Sequence, residues 1–378
     1  MNKKLIPVKL ILILLVSVTS LFAQASRLEF IREQFLRPSI HFKTWSFDEE
    51  SGFDRFTEVA FPVTYSLPVN ARLGLDVVAL PFLSSLNPVD GESFTLNNIT
   101  DTILRASYIL GEDLALLTIG VGIPSGKSEL DEEELRIAGI AANRPLNNPV
   151  TNFGTGVNLN FALAIAQEVG PWVLGAGFGY SLRGKYDVLV GTQEVSVEPG
   201  NEFNITFGVD RDFEMANGNA KFTADIVYTN YSEDELEGVP FFEAGDKLVV
   251  QGRFLFPFAR FDPVIISVLN RWRLDNESIN SALIDNGNEF EVGATIFHPF
   301  GNRFSLKYLI NSIIYSDTVD DTEGAFVIGV GGGFLYRLSD YISIDPTFRF
   351  FKGSINTGQG SDISMTGFEF SGGLSLRF

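Results

Sequence analysis

Residues 122–128, Gly-Ile-Pro-Ser-Gly-Lys-Ser, have the residue types of a phosphate cradle, a glycine turn backed by lysine and serine. The spacing fails. A phosphate-binding loop needs glycine five residues before Gly126, and Val121 stands there, with Gly120 and Gly122 each missing by one. Gly175-Ala176-Gly177-Phe178-Gly179 lies inside a strand-like segment, so it is no dinucleotide fingerprint. His41 and His298 are the only histidines and cysteine is absent, which leaves no His-rich or thiolate metal site. A Ser-His-acid hydrolase is compatible with the composition, but neither histidine sits in a local signature. The acidic tips Asp48-Glu49-Glu50, Asp131 to Glu134 and Asp317 to Glu323 lack Ca²⁺-loop spacing. Solvated loops are the plainer reading, with Ca²⁺ or Mg²⁺ bridging to lipopolysaccharide as the alternative. The chain therefore offers no catalytic, cofactor or metal residues by motif.

The 378 residues carry a formal charge of −19. Met1 to Ala25 reads as a secretory leader: Lys3, Lys4 and Lys9, an apolar run from Leu10 to Val16, and the small-x-small site Ala23-Gln24-Ala25. Its apolar core is too short for a transmembrane helix. Loss of those three lysines, in a leader without acids, takes the charge from −19 to −22. Such a surface excludes nucleic-acid binding, which needs a basic one.

Positions that could do chemistry must therefore be sought on strands. From Gly367 to Phe378 the residues alternate, with Phe368, Phe370, Gly372, Leu374, Leu376 and Phe378 against Glu369, Ser371, Gly373, Ser375 and Arg377. Similar segments of about ten residues, the length of a membrane-crossing strand, recur at about 39–47, 58–68, 71–82, 99–110, 114–124, 155–168, 172–183 and 202–212. They continue at about 219–231, 246–257, 262–273, 289–298, 303–314, 325–337, 341–351 and 364–378. Short turns such as Val69-Asn70, Gly170-Pro171, Gly301-Asn302 and Ser339-Asp340 alternate with longer, mostly acidic stretches. This alternation predicts an all-β fold: a transmembrane antiparallel up-and-down β-barrel of about sixteen strands, fourteen or twelve being the alternatives. Residues 26–38 would form a short periplasmic segment and 39–378 a single barrel domain, with short turns inside and long loops outside.

The apolar set should face lipid, with Trp172, Tyr180, Tyr228, Tyr308 and Tyr336 in interfacial girdles. The polar set should line the lumen: Lys43, Arg72, Asp76, Asp101, Arg105, Asn158, Asn160, Arg183, Asp210, Lys221, Asp225, Lys247, Gln251, Arg253, Glu289, Glu291, Lys307, Asp345, Arg349, Glu369 and Arg377. A wet lumen tolerates these charges, either as wall braces such as Asp210 with Lys221, or as a selectivity field. Two inward glycine rows, Gly175/Gly177/Gly179 and Gly329/Gly331/Gly333, would leave room for a plug or solute, or simply allow curvature. The longest loop, Ser125 to Asn152, carries a helical stripe of Ile137, Ile140 and Ala141 within Leu130 to Ala142. It would form a constriction, a lid or a plain surface helix.

The succession Asp101…Tyr108, Gly120-Val121-Gly122-Ile123-Pro124-Ser125-Gly126-Lys127, Gly154-Thr155-Gly156…Asn158 and Gly170-Pro171-Trp172…Gly179-Tyr180 carries a family resemblance. It resembles porin-like outer-membrane barrels grouped as transporters of the phenol meta-cleavage pathway type. In that family a strand ends in Pro-Thr/Ser-Gly, a loop follows, and Gly-Thr-Gly opens the next strand. The likeness spans residues 99 to 183, about a quarter of the chain. It implies uptake of small, often hydrophobic compounds and names no solute. The general plan is also similar to long-chain fatty-acid channels, although Ser26 to Pro38 leaves no room for their N-terminal hatch. The terminal strand ending in Phe378 resembles the sorting signal read by the barrel-assembly machinery. The expectation is a non-enzymatic channel in a Gram-negative outer membrane, meeting lipid and lipopolysaccharide and passing small solutes by diffusion. A closed structural or surface-interaction barrel with acidic outer loops is the alternative, and a barrel-embedded lipid hydrolase a remote one.

Overall fold

A strand in lipid has no water for its backbone, so each N–H and C=O must find a partner on a neighbouring strand. The computed structural model describes residues 32–378 except 49–50, 113, 152, 191–192, 216–217, 259–260, 279–282, 285–286, 317–323 and 357–361. The leader Met1–Ala25, Glu49-Glu50 and the tip 317–323 lie outside the described residues. The strands are β1 (Phe35–Phe47), β2 (Phe53–Ala60), β3 (Val63–Pro68), β4 (Leu73–Ala79), β5 (Pro81–Pro88), β6 (Phe94–Ile99), β7 (Thr102–Leu110) and β8 (Ala115–Ile123). After a long loop come β9 (Asn158–Val169), β10 (Trp172–Arg183), β11 (Tyr186–Val190), β12 (Gln193–Glu198), β13 (Glu202–Met215), β14 (Gly218–Tyr231), β15 (Asp234–Leu236), β16 (Val239–Glu243) and β17 (Lys247–Phe258). The chain ends with β18 (Phe261–Arg273), β19 (Asn276–Ser278), β20 (Leu283–Ile284), β21 (Asn288–Phe300), β22 (Phe304–Ser316), β23 (Gly324–Arg337), β24 (Ile342–Asn356) and β25 (Asp362–Arg377).

Nineteen of these form one antiparallel sheet. Three neighbouring walls are each bent once, at Phe61-Pro62 between β2 and β3, at Leu80 between β4 and β5, and at Thr100-Asp101 between β6 and β7. Counting each bent pair as one wall gives a closed barrel of sixteen strands. The seam is β1 against β25, in register from Phe35↔Arg377 to Phe47↔Met365. The sixteen segments read from periodicity are these sixteen walls, and fourteen and twelve are excluded. The poorly alternating 262–273 segment is β18, laddered to β17 and β21. The first strand begins at Phe35, four residues before 39.

The outer connections differ from expectation in two respects. Residues 83–98, read as a loop, hold most of β5 and β6, which continue two barrel walls beyond their bends. Residues read as loops at 185–200, 232–245 and 276–288 contain β11, β12, β15, β16, β19 and β20, which form a second six-stranded sheet in that order. Its strands are two to six residues long, too short for a period-2 pattern to show.

The outer face is the apolar set. Phe207 (57% exposed), Ile226 (46%), Ile310 (50%) and Phe350 (61%) would not be tolerated in water as a continuous belt, and they suit acyl chains. All five expected girdle aromatics share this face. Trp172, Tyr308 and Tyr336 lie at the short-turn ends of their strands, while Tyr180 and Tyr228 lie toward the long-loop ends. No helix among the described residues is long and apolar enough to cross a membrane.

This orientation has a measurable consequence. Ile226→Arg, on the lipid face of β14, should cost about 2–4 kcal/mol of folding free energy in vesicles. Val227→Arg, its neighbour on the lumen face, should cost less than about 1 kcal/mol. Denaturant unfolding of both variants checks this, and equal losses would mean the faces are assigned wrongly.

Candidate functional site

The chain between β8 and β9 leaves and re-enters the barrel through a narrow neck. Asp101, at the bend between β6 and β7, accepts from Gly126 N on Oδ1 (2.9 Å) and from Thr155 N and Oγ1 on Oδ2 (2.7 and 3.1 Å). One carboxylate thus ties both ends of the loop. The ends touch backbone to backbone: a Cβ on Gly126 would stand 2.5 Å from Phe153 O, and one on Gly154 2.7 Å from Gly126 C. No real Cβ fits there, which explains glycine at both positions. Asn158 Nδ2 donates to Thr155 Oγ1 (3.0 Å) and braces the same neck. The Pro-Ser-Gly and Gly-Thr-Gly stretches that carry the family resemblance are this neck.

Within the loop, α1 (Glu132–Ala142) begins with a capping box: Glu134 N donates to Asp131 Oδ1 (2.9 Å) and Asp131 N donates to Glu134 Oε2 (3.0 Å). Glu132, Glu133 and Glu134 suit the positive end of the helix dipole. Pro145, just past the Asn143 cap, opens a short 3₁₀ turn at Arg144–Leu146. Ile137 and Ala141 are buried and Ile140 packs beside them, on the stripe read from sequence.

The loop folds inward and packs on the barrel wall. Leu130, Ile137, Ala141, Leu146, Val150 and Phe153 share one core with Trp45, Phe56, Leu86, Ile313, Val327 and Phe351. Those wall residues correct the expectation of a uniformly polar lumen. Trp45 shares its face with Lys43, and Phe351 with Arg349, so both point inward. Four wall side chains hold the loop backbone. Tyr315 Oη donates to Arg144 O (2.7 Å), Trp45 Nε1 to Leu146 O (3.1 Å) and Lys43 Nζ to Asn147 O (2.8 Å). Glu58 Oε1 accepts from Val150 N (2.9 Å), and its other oxygen accepts from Ser84 Oγ (3.1 Å). Buried backbone must be paired, and these four supply the partners. Of them only Lys43 was among the sequence candidates.

The remaining candidates separate into groups. Glu369 bridges Lys43 (3.6 Å) and Arg349 (3.0 Å). Lys307 pairs with Asp345 and donates to Thr347 Oγ1 (2.8 Å), Arg183 pairs with Glu202, and Arg271 pairs with Glu289. Asp210 and Lys221 brace their hairpin at 3.2 Å. Gln251 Nε2 donates to Asp225 (3.3 Å) and Ser181 Oγ to Asn160 Oδ1 (2.7 Å). Asp76 and Arg105 are register partners, as are Thr223 and Arg253. Lys247 stands over the Tyr231 ring, and Glu291 lies one inward position deeper than Glu289. Arg72 is a correction: it sits exposed in the turn before β4, where Asn70 Oδ1 accepts from its N–H (2.8 Å). Phe378 follows β25 directly, its N–H donating to Gln34 O (3.1 Å). His41 faces the lumen with Lys43, whereas His298 lies on the lipid-facing row of β21 beside Phe300 (ring centroids 4.8 Å).

Two features of the lumen were invisible in the sequence. A cavity of about 230 Å³ lies between residues 145–149 of the loop and a wall that includes His41, Lys43, Arg349 and Glu369. Across the barrel, Ala162, Ala164 and Ala166 of β9 point inward and are exposed, opposite Gly179, Gly177 and Gly175 of β10 in register. In this glycine row only the Gly179 end is crowded, a Cβ there standing 2.6 Å from Asn204 Oδ1, whereas the other glycine row is filled. A Cβ on Gly329 would stand 2.4 Å from Asn311 Oδ1 and 2.8 Å from the Phe351 ring. One wall is thus packed against the loop, and the opposite wall is stripped to small side chains that solvent reaches.

A closed sixteen-stranded barrel with an apolar exterior and an inward loop defines a β-barrel of the outer-membrane type. Among solved structures the chain is similar to an anion-selective porin from Comamonas acidovorans, at 13% identity and TM-score 0.46, covering 91% of this chain and 98% of that one. It is similar to OccK11 (OpdR) of Pseudomonas aeruginosa, at 8% identity and TM-score 0.44, covering 92% and 96%. It is also similar to the outer membrane protein OpdK of Pseudomonas aeruginosa, at 11% identity and TM-score 0.41, covering 92% and 100%. No protein-family model and no curated protein sequence matches the chain.

The neck can be tested by itself. Asp101→Ala leaves the Gly126 and Thr155 N–H groups without their acceptor, at about 1–3 kcal/mol. The loop should then open more often, and trypsin should cut it at Arg136 faster than in the wild type while the barrel core stays resistant. Unchanged cleavage would show that Asp101 does not hold the loop.

Proposed function

We propose that this chain is a diffusion channel of a Gram-negative outer membrane, passing small solutes between the inward loop and the small-residue wall. One observation carries the reading. The inward alanines 162, 164 and 166 are exposed although they face the barrel interior, while the wall across from them is buried under the loop. Exposed inward methyl groups mark a water-reached passage, and a lumen packed shut would have buried them. The loop narrows this passage from one side only, being tied by Tyr315, Trp45, Lys43 and Glu58. Pore width and lining groups then select the solute. The motif resemblance supports small, often hydrophobic cargo. Apolar surface is available to such cargo on Ala162, Ala164 and Ala166, and charged groups to polar cargo on Arg183, Arg253 and Lys247. Short turns and both chain ends would face the periplasm, Phe378 would address the assembly machinery, and the outer sheet would stand among lipopolysaccharide.

Single-channel conductance of the refolded mature chain in a planar bilayer tests the proposal. Steady current is expected, rising on deletion of Glu129 to Ala142, which removes the helix from the lumen. Ala164→Trp should lower it by narrowing the opposite wall. Absence of current in all three proteins would favour a closed barrel.

A further inference from the structure

The chain is acidic, at −19, yet the lumen just inside its outer mouth is basic. Arg271 and Arg273 lie on the inward face of β18, and Lys247 of β17 is the register partner of Arg273. Arg271 is the register partner of Glu289 and pairs with it. Glu289 is in turn the register partner of Tyr315, whose hydroxyl holds the backbone of Arg144. The inward loop therefore delivers a third arginine to the same place. Burial, with Arg273 and Arg271 close by, pushes the Arg144 guanidinium down to about 10, so it stays charged at neutral pH. Three arginines thus converge around one carboxylate, Glu291 being one position deeper, while the Lys247 ammonium stands 5.6 Å from the Tyr231 ring. The Nε of Arg273 is buried without a hydrogen-bond partner.

Like charges gathered this way repel one another unless an anion joins them. Guanidinium groups present planar forks of donors, which match the paired oxygens of carboxylate and phosphate. We propose that Arg144, Arg271 and Arg273 form an oxyanion station inside the outer mouth, taking solutes with a carboxylate or phosphate head. Resting on the channel reading above, it makes the passage prefer anions despite the negative net charge. The acidic outer loops and the basic station are separate in space, and selectivity follows the narrowed lumen because low-dielectric walls focus the field there.

The test is the reversal potential of the full mature chain in a KCl gradient, for the wild type, Arg273→Gln, Arg144→Gln and the double variant. Arg271 is kept because it neutralises Glu289. Retained heat-modifiable mobility on gels shows that the variants are folded. A unit charge about 6 Å away in a water-like medium changes the occupancy of each ion about threefold, in opposite senses for anion and cation, and so the ion ratio about tenfold. The wild type should favour chloride over potassium, and each substitution should lower the ratio by about tenfold. Titration calorimetry with citrate and with pyrophosphate separates the two sources of oxyanion, and the double variant should lose binding of whichever binds. A cation-preferring wild type, or variants with an unchanged ratio, would overturn the station and leave the channel standing. Absence of current in the wild type would overturn the channel instead. Calorimetry would then decide the station, which fails if neither probe binds or if the double variant binds equally.

Discussion

Everything in this molecule depends on one seam. Strands β1 and β25 are the two ends of the folded chain, and their ladder turns an open sheet into a cylinder without edges. In lipid an unpaired strand edge costs several kcal/mol for each exposed backbone group, so the fold is complete only when the last strand meets the first. The polarity of the two faces follows from that closure. Period-2 side chains must then divide between acyl chains and lumen, and the apolar row Phe368/Phe370 meets Phe42 and Phe348 on the outside. The row carrying Glu369 meets Lys43 and Arg349 on the inside.

Closure also explains the inward loop. A cylinder of sixteen walls encloses more space than wall side chains fill, and a chain folded into that space carries its own backbone polar groups with it. The wall answers with hydrogen bonds matched to the loop: Tyr315 to Arg144, Trp45 to Leu146, Lys43 to Asn147, and Val150 to Glu58. Around them an apolar core grows on one side of the barrel, from Phe56 and Leu86 to Val327 and Phe351. The charged anchors are held in turn, with Lys43 against Glu369 and Glu58 against Ser84. Removal of any one would strand a buried group, so the loop and its wall behave as a unit.

Strand number, face assignment and the side chains that brace hairpins were legible in the sequence because they follow from a local period. Asp210 with Lys221, and the rows Ile342/Ile344 against Ser343/Asp345, needed only the neighbouring residues. Three things depended on contacts distant in the chain and were not legible. The inward aromatics Trp45 and Phe351 broke the polar-in rule for the sake of a loop about a hundred residues or more away from each. The outer sheet is assembled from strands of two to six residues, each too short to show a pattern. Asp101 reads as one more lumen charge until the neck shows it accepting from both ends of a thirty-residue loop. Arg144 carried no signal of its own, since a basic residue in a long loop is ordinarily solvated.

The neck gives the Gly-rich stretches of the loop their physical meaning. Two backbones cross at a distance no side chain permits, and a single carboxylate fixes both. Such a crossing fixes where the loop enters the lumen, and Tyr315, Trp45, Lys43 and Glu58 fix how it lies there. In the proposed channel, solute preference follows the side chains that the loop and its own wall bring together, such as Arg144 beside Arg271 and Arg273, more than the net charge of the chain. A rigid frame with a tethered loop packed on it would let a strongly acidic chain hold the proposed basic station in its lumen.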